Sequence, residues 1–302
     1  QRIITTIIRL YVFPILTLWL CFFDKIYMYD HFTISDSQIM TYPSQSSSLR
    51  PLNNPTFDHA QQLRIITTDS KLTSINSDCF SWQNLPSPLA IAYISPHISF
   101  KDTLQKIQKL AGSTPLLAVS TAGELAGTPE NPDLYKATDD NWDRVVLQIF
   151  PPDLFDGVSI HTIPLHNDDL RQQLPSIGRD ERVKRITDSL LSLSPSFTID
   201  SQNTIAVTFI DGLSLCENYF MEAVYRSGKF PCFFMGGSAG GKMDFQKTAI
   251  YANSQVFENH AVIAFLKLKK DRTYGVLKSE NFKKTGHSFV VIEADPERRL
   301  IQ

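Results

Sequence analysis

Residues 204–242 read TIAVTFIDGLSLCENYFMEAVYRSGKFPCFFMGGSAGGK, and the pattern in this stretch decides the fold class. Thr204 to Ile210 is an apolar run of strand length, closed by Asp211-Gly212. Ser214 and Glu217 are spaced as a capping box, and Leu215, Tyr219, Phe220, Ala223 and Val224 give the helix behind them a broad apolar face up to Gly228. A second buried run, Phe230 to Met235, then enters Gly236-Gly237-Ser238-Ala239-Gly240-Gly241. Strand, helix and strand in alternation place helices outside a sheet.

The same habit extends outward in both directions. Leu89 to Ser95 is a compact apolar strand. Ser99 with Asp102 caps a following helix whose Phe100, Leu104, Ile107 and Leu110 share a face, and Gly112 closes it before a strand at Leu116 to Ser120. Trp142 to Phe150 and Val158 to His161 alternate as neighbouring half-buried strands, and Val183, Ile186, Leu190 and Leu193 recur at helical spacing. After the glycines come strand-like runs at Thr248–Tyr251, Gln255–Phe257, Ala261–Leu268 and Tyr274–Lys278. Helix alternation mixed with consecutive strands predicts an α/β (mixed α+β) fold of mixed or paired β-sheets with flanking helices.

The 302 residues carry 29 basic and 31 acidic side chains, a formal charge of −2 that argues against a dedicated nucleic-acid binder. Cys21, Cys79, Cys216 and Cys232 form no C-x-x-C pair and read as thiols in a reducing, cytoplasmic setting. Ile3 to Phe23 is apolar enough, at 21 residues, for a bilayer span, although Arg9 and Pro14 weaken it. A membrane anchor and a mis-assigned start, with Met28 or Met40 as the first residue, both fit residues 1–28. Residues 29–85 are polar and read as a largely disordered linker, in which Leu63 to Ile66 adds a strand or nothing.

The glycine-rich stretch takes several readings. Gly236 to Lys242 has the spacing of a phosphate loop, but Met243 stands where a hydroxyl should hold magnesium. Gly236-Gly237-Ser238-Ala239-Gly240 also spells G-x-S-x-G, with Asp271 and His287 following in the order a serine hydrolase needs, but no helix follows to complete the elbow. As a binding surface, the small residues let backbone N–H groups approach a ligand; as plain structure, they make a tight bend. Ser120, Thr121, Gly123 and Glu124 close one strand with hydroxyls and a carboxylate, where Glu124 could pair with an amine, and Asp211-Gly212 closes another. The histidines show no metal spacing; His161, His260 and His287 are candidates to ligate haem iron.

Three segments together, Pro115 to Leu125 (PLLAVSTAGEL), Phe209 to Ser214 (FIDGLS) and Phe233 to Gly240 (FFMGGSAG) with Met243-Asp244-Phe245, resemble the FIST N-terminal domain family in order and spacing from about Pro86 to Thr285. The resemblance implies a sensory input domain of intracellular signal transduction over residues 86–285, non-catalytic, that binds small ligands such as amino acids and acts through a downstream signalling protein. Some members bind haem and sense nitric oxide. Residues 286–302 resemble the opening of the FIST C-terminal domain. The expected pocket is lined by Ser120, Thr121, Gly123, Glu124, Asp211, Gly212, Gly236, Gly237, Ser238, Ala239 and Gly240.

Overall fold

The computed structural model describes residues 63–126, 142–171, 176–274, 286, 288, 290–295 and 300–301. In chain order the elements are β1 (Arg64–Thr68), a 3-10 turn (Ser77–Phe80), β2 (Ser81–Trp82), β3 (Leu85–Pro86), β4 (Ala90–Ile94), α1 (Phe100–Ala111), β5 (Leu116–Ser120), β6 (Val145–Ile149) and β7 (Phe155–Pro164). There follow α2 (Asp168–Arg171), α3 (Arg179–Leu191), β8 (Thr204–Asp211), α4 (Glu217–Ser227), β9 (Phe233–Ala239), β10 (Ile250–Ala252), β11 (Gln255–Phe257), β12 (His260–Leu268), β13 (Ala294–Asp295) and β14 (Leu300–Ile301).

Ten of the strands form a six-stranded sheet in the order β1-β6-β4-β5-β10-β11 and a four-stranded sheet in the order β7-β12-β8-β9, while β2 pairs with β3 and β13 with β14. Each sheet holds one parallel pair, β4 with β5 and β8 with β9, and each pair is joined by a helix, α1 and α4 respectively. The rest of the pairing in the two sheets is antiparallel.

Side-chain alternation along the strands sorts the core into three slabs. Leu89, Ile91, Leu117 and Val119 meet Val207, Phe209, Val262, Ala264 and Leu266 between the sheets. Their alternates, Ala90, Ala92, Ile94 and Ala118, pack beneath Leu104 and Ile107 of α1 with Phe80 and Trp82. On the other outer face Ala206, Ile210, Ala261, Ile263 and Phe265 carry Val183, Ile186 and Leu190 of α3 and Phe220 and Ala223 of α4. The result is a helix–sheet–sheet–helix sandwich, a mixed fold of paired sheets with flanking helices as the pattern predicted.

Several expectations need correction. Residues 64–85, read as linker, belong to the fold. Arg64 donates to the carbonyls of Asp78, Cys79 and Ser81 and stacks on Trp82 at 3.8 Å, while Leu72, Phe80 and Trp82 are buried. Isolated core residues set among Ser, Asn and Asp leave no period to detect. The alternating runs β6 and β7 are not neighbours but lie in different sheets. The Ser214–Glu217 capping box does not form: α4 starts at Glu217, and the Ser214 hydroxyl accepts from Cys216 N instead.

The strand expected from Phe230, β9, starts at Phe233 and runs through the glycines to Ala239, so most of the expected turn is strand. Gly236 pairs with Thr208 at φ +152°, and a β-carbon there would lie 1.8 Å from the Thr208 carbonyl oxygen. Glycine at this point lets two backbones close up inside a sheet. The strand expected at Tyr274–Lys278 lies outside the described residues beyond Tyr274, where no strand is assigned. The apolar run 3–23 lies outside them too, and among the described residues no helix is long and apolar enough to cross a membrane.

Candidate functional site

The carboxyl ends of β4, β5, β8 and β9 meet where the two sheets close on each other, and the segments singled out in the sequence are brought together there. Ser120 ends β5. Its hydroxyl donates to the Gly240 carbonyl (2.7 Å) and accepts from Ala249 N (2.8 Å), and its own carbonyl accepts from Gly240 N (2.9 Å). Asp211 ends β8. Its carboxylate accepts from Thr248 Oγ1 (2.5 Å), Leu213 N (3.0 Å) and Asn259 N. Adjacent residues of one strap, Thr248 and Ala249, are thus tied to opposite sheets.

Close approach of backbone explains the small residues along this seam. A β-carbon on Gly240 would lie 2.4 Å from Ala122 N, and one on Gly212 would lie 2.1 Å from the Ala239 carbonyl oxygen. Both distances are well inside contact: glycine at 240 lets the chain leaving β9 approach the end of β5, and glycine at 212 lets the chain leaving β8 close on its own partner β9. Ala239 pairs with Asp211 and Gly237 with Phe209 as ordinary β9 ladder residues.

On the α1 side of the seam stands a polar cluster. The Thr121 hydroxyl donates to Glu124 Oε1, Trp142 Nε1 donates to Glu124 Oε2 at 3.1 Å, and the Gly123 backbone lies against the Trp142 ring. His97 stacks on Trp142 at 5.1 Å between centroids and 20° between planes, and the Ser95 hydroxyl donates to the Trp142 carbonyl. Glu124 is buried, Trp142 half-buried and His97 exposed, so the cluster runs from the core to the surface. Each carboxylate oxygen of Glu124 has a donor in place and further lone-pair capacity.

Ser238 sits on the α4 side, buried within β9, and its hydroxyl donates to Glu217 Oε1 at 3.1 Å. A nucleophile elbow needs a strand–turn–helix, but Ser238 is inside a strand and residues 240–249 contain no helix. The same geometry removes the phosphate-loop reading, which needs a helix N-terminus after the glycines. Asp271 lies exposed in the turn after β12, and His287 lies outside the described residues.

Of the haem candidates, His161 shares a 2.8 Å hydrogen bond through Nε2 with the Ser159 hydroxyl and meets Phe265 edge-on. Phe265 and Phe230 behind it are packed core, so a macrocycle at His161 would require that core to open, and these residues do not fit one. Burial, followed by the charge of Lys229, lowers the His161 pKa, which favours the neutral ring. His260 bonds through Nδ1 to the Glu258 carbonyl beside Phe257. Among the described residues no three His, Cys, Asp or Glu side chains are grouped to hold a metal ion.

Trp142, His97, Thr248, Asn259 and Glu217 complete the site and were not candidates from the sequence. Trp142 read as the start of a strand, and nothing local to Asn259, at φ +57° before β12, announces contact with Asp211. The profile of the FIST N domain matches residues 88–302, which includes the stretch 286–302 expected to open a second domain. No curated protein matches the chain.

Proposed function

Because the chain belongs to the FIST N domain family, a family of sensory signal-transduction domains, we propose that it binds a small polar ligand at the carboxyl ends of β4, β5, β8 and β9. The ligand class we favour is a free amino acid. One observation carries the reading: Glu124, buried beside the seam, is held from two sides by Thr121 and Trp142, in a cluster that opens to solvent at His97. A carboxylate fixed this way has lone pairs left for the ammonium group of a ligand, and open α/β sheets bind ligands at strand carboxyl ends. Backbone groups of residues 122–124 supply polar partners for the carboxylate end.

Thermal-shift titration of the protein against single amino acids tests this. A ligand that binds only the native state at a hundred times its Kd stabilises by about 2.7 kcal/mol. The expected result is a rise in Tm with one or a few amino acids that is lost in Glu124→Gln, while that variant still folds. No shift with any of them, or a shift that survives Glu124→Gln, would remove amino-acid recognition at this cluster. Downstream signalling belongs to a protein partner that reads the bound state.

A further inference from the structure

Beyond Gly241 the chain leaves the seam and returns as Lys242-Met243-Asp244-Phe245-Gln246-Lys247, all six residues exposed. Both roots of this loop are fixed. Gly240 is bonded to Ser120, Thr248 is bonded to Asp211, and Gly241 lies so close to the Lys247 carbonyl oxygen that a β-carbon would sit 2.3 Å from it. The tip is apolar, with Met243 74% and Phe245 47% exposed. Phe245 N donates to the Lys242 carbonyl at 3.1 Å, and Phe245 adopts φ +56°, a region that glycine or asparagine enters far more readily than a bulky side chain. Asp244 turns its carboxylate back onto Gln246 N at 3.0 Å, inside the turn. Lys242 and Lys247 flank the tip, and Lys247 Nζ is only loosely paired with Glu258 at 3.9 Å.

Single exposed apolar residues are ordinary, but two at the tip of a doubly rooted turn, one of them held at positive φ, indicate a contact made by design. We propose that the 242–247 loop is a membrane-contact element: Met243 and Phe245 enter the interface of an anionic bilayer while the two lysines meet its headgroups. A protein pocket could also accept two apolar knobs. The lipid surface is favoured by the pair of flanking lysines, whose long stems keep their charge at headgroup level, and by the bilayer-length apolar run 3–23 in the same chain. This contact does not depend on a ligand at the seam.

The test is hydrogen–deuterium exchange on the full chain, read at the 242–247 amides, with vesicles of pure phosphatidylcholine or with about one third phosphatidylserine. A local readout keeps any attachment through residues 3–23 from counting as loop contact. Anionic vesicles should slow exchange in the loop about tenfold, neutral vesicles should leave it nearly unchanged, and Met243→Ser with Phe245→Asn should abolish the effect. Asparagine suits the positive φ, and both sites are exposed, so the variant keeps its fold. Unchanged loop exchange on anionic vesicles, or protection retained in the double variant, overturns the proposal. So does protection that appears without lipid as protein concentration is raised, which would give the loop to a contact between protein copies.

Discussion

Arg182 is the largest fully buried side chain in the described molecule, and its charge is answered at close range. Nη2 donates to Asp169 Oδ2 at 2.8 Å and to the Ile177 carbonyl, and Nη1 donates to the His166 carbonyl. Burial alone would raise the Asp169 pKa. The Arg182 hydrogen bond and the Ser176 and Ile177 N–H groups outweigh it and hold the carboxyl well below the usual range. A carboxylate depressed in the folded state contributes stability that is complete above its unfolded pKa of about 3.9 and is lost as pH falls toward the folded value. Thermal melts across the acid range should therefore show Tm falling below about pH 4, and Asp169→Asn should flatten that limb. The same variant strands Arg182 as an uncompensated buried charge, so it should cost about 3–5 kcal/mol in urea unfolding at neutral pH. A neutral-pH loss under 1 kcal/mol, or an unchanged acid limb, would show the pair to be incidental.

At the scale of elements, the matched family region starts at residue 88, but the cooperative unit starts at Arg64. β1 covers the edge of β6 over five paired residues, and the 3-10 turn and β2 bring Phe80 and Trp82, 2% and 7% exposed, into the slab beneath α1. At about 1.5–3 kcal/mol for each large apolar side chain buried, a chain starting at residue 88 should lose about 3–6 kcal/mol relative to one starting at 63. Its urea midpoint should fall accordingly, and equal midpoints would show that residues 63–87 only decorate the domain. The elements that were legible in advance are those with a strong local signature. α1 has Ser99 at one end and Gly112 at the other, α4 ends at Gly228 with φ +57°, and β5 falls on the expected Leu116–Ser120. What was illegible depended on distant partners. β9 continues through glycines because Gly236 closes on Thr208 of β8, and β6 parts from β7 because Phe150 and Phe155 join Val207, Phe209 and Val262 in the layer between the sheets. Neither cause lies within a window of the sequence.

At the scale of the whole molecule, the two sheets are joined by the inner apolar slab and, at one end, by the strap through Thr248 and Ala249. The meeting of the three glycine-bearing segments was expected from the resemblance, and their strand-end hydroxyls, carboxylates and glycines suit a place where backbones come close. That their polar atoms are largely spent on one another was not readable, since Gly240 and Ala249 lie 120 and 129 residues from Ser120, and Thr248 and Asn259 lie 37 and 48 residues from Asp211. The strap makes the two knots interdependent: Ser120 holds Ala249 to the six-stranded sheet, and Asp211 holds Thr248 to the four-stranded one. β10 keeps the strap on the six-stranded sheet in either case, but removing one hydroxyl loosens the residue next to the other knot, so the second knot is seated less firmly. Ser120→Ala and Thr248→Val should each cost about 1–3 kcal/mol, and the double variant should cost less than their sum by at least 0.5 kcal/mol. Additive losses in the urea-unfolding cycle would mean that the knots act separately and the seam is not one mechanical unit. If the seam also houses the ligand, the Tm rise caused by that ligand should shrink in either single variant, because Ser120 bonds both the strap at Ala249 and Gly240, which packs against Ala122 beside the Thr121–Glu124–Trp142 cluster.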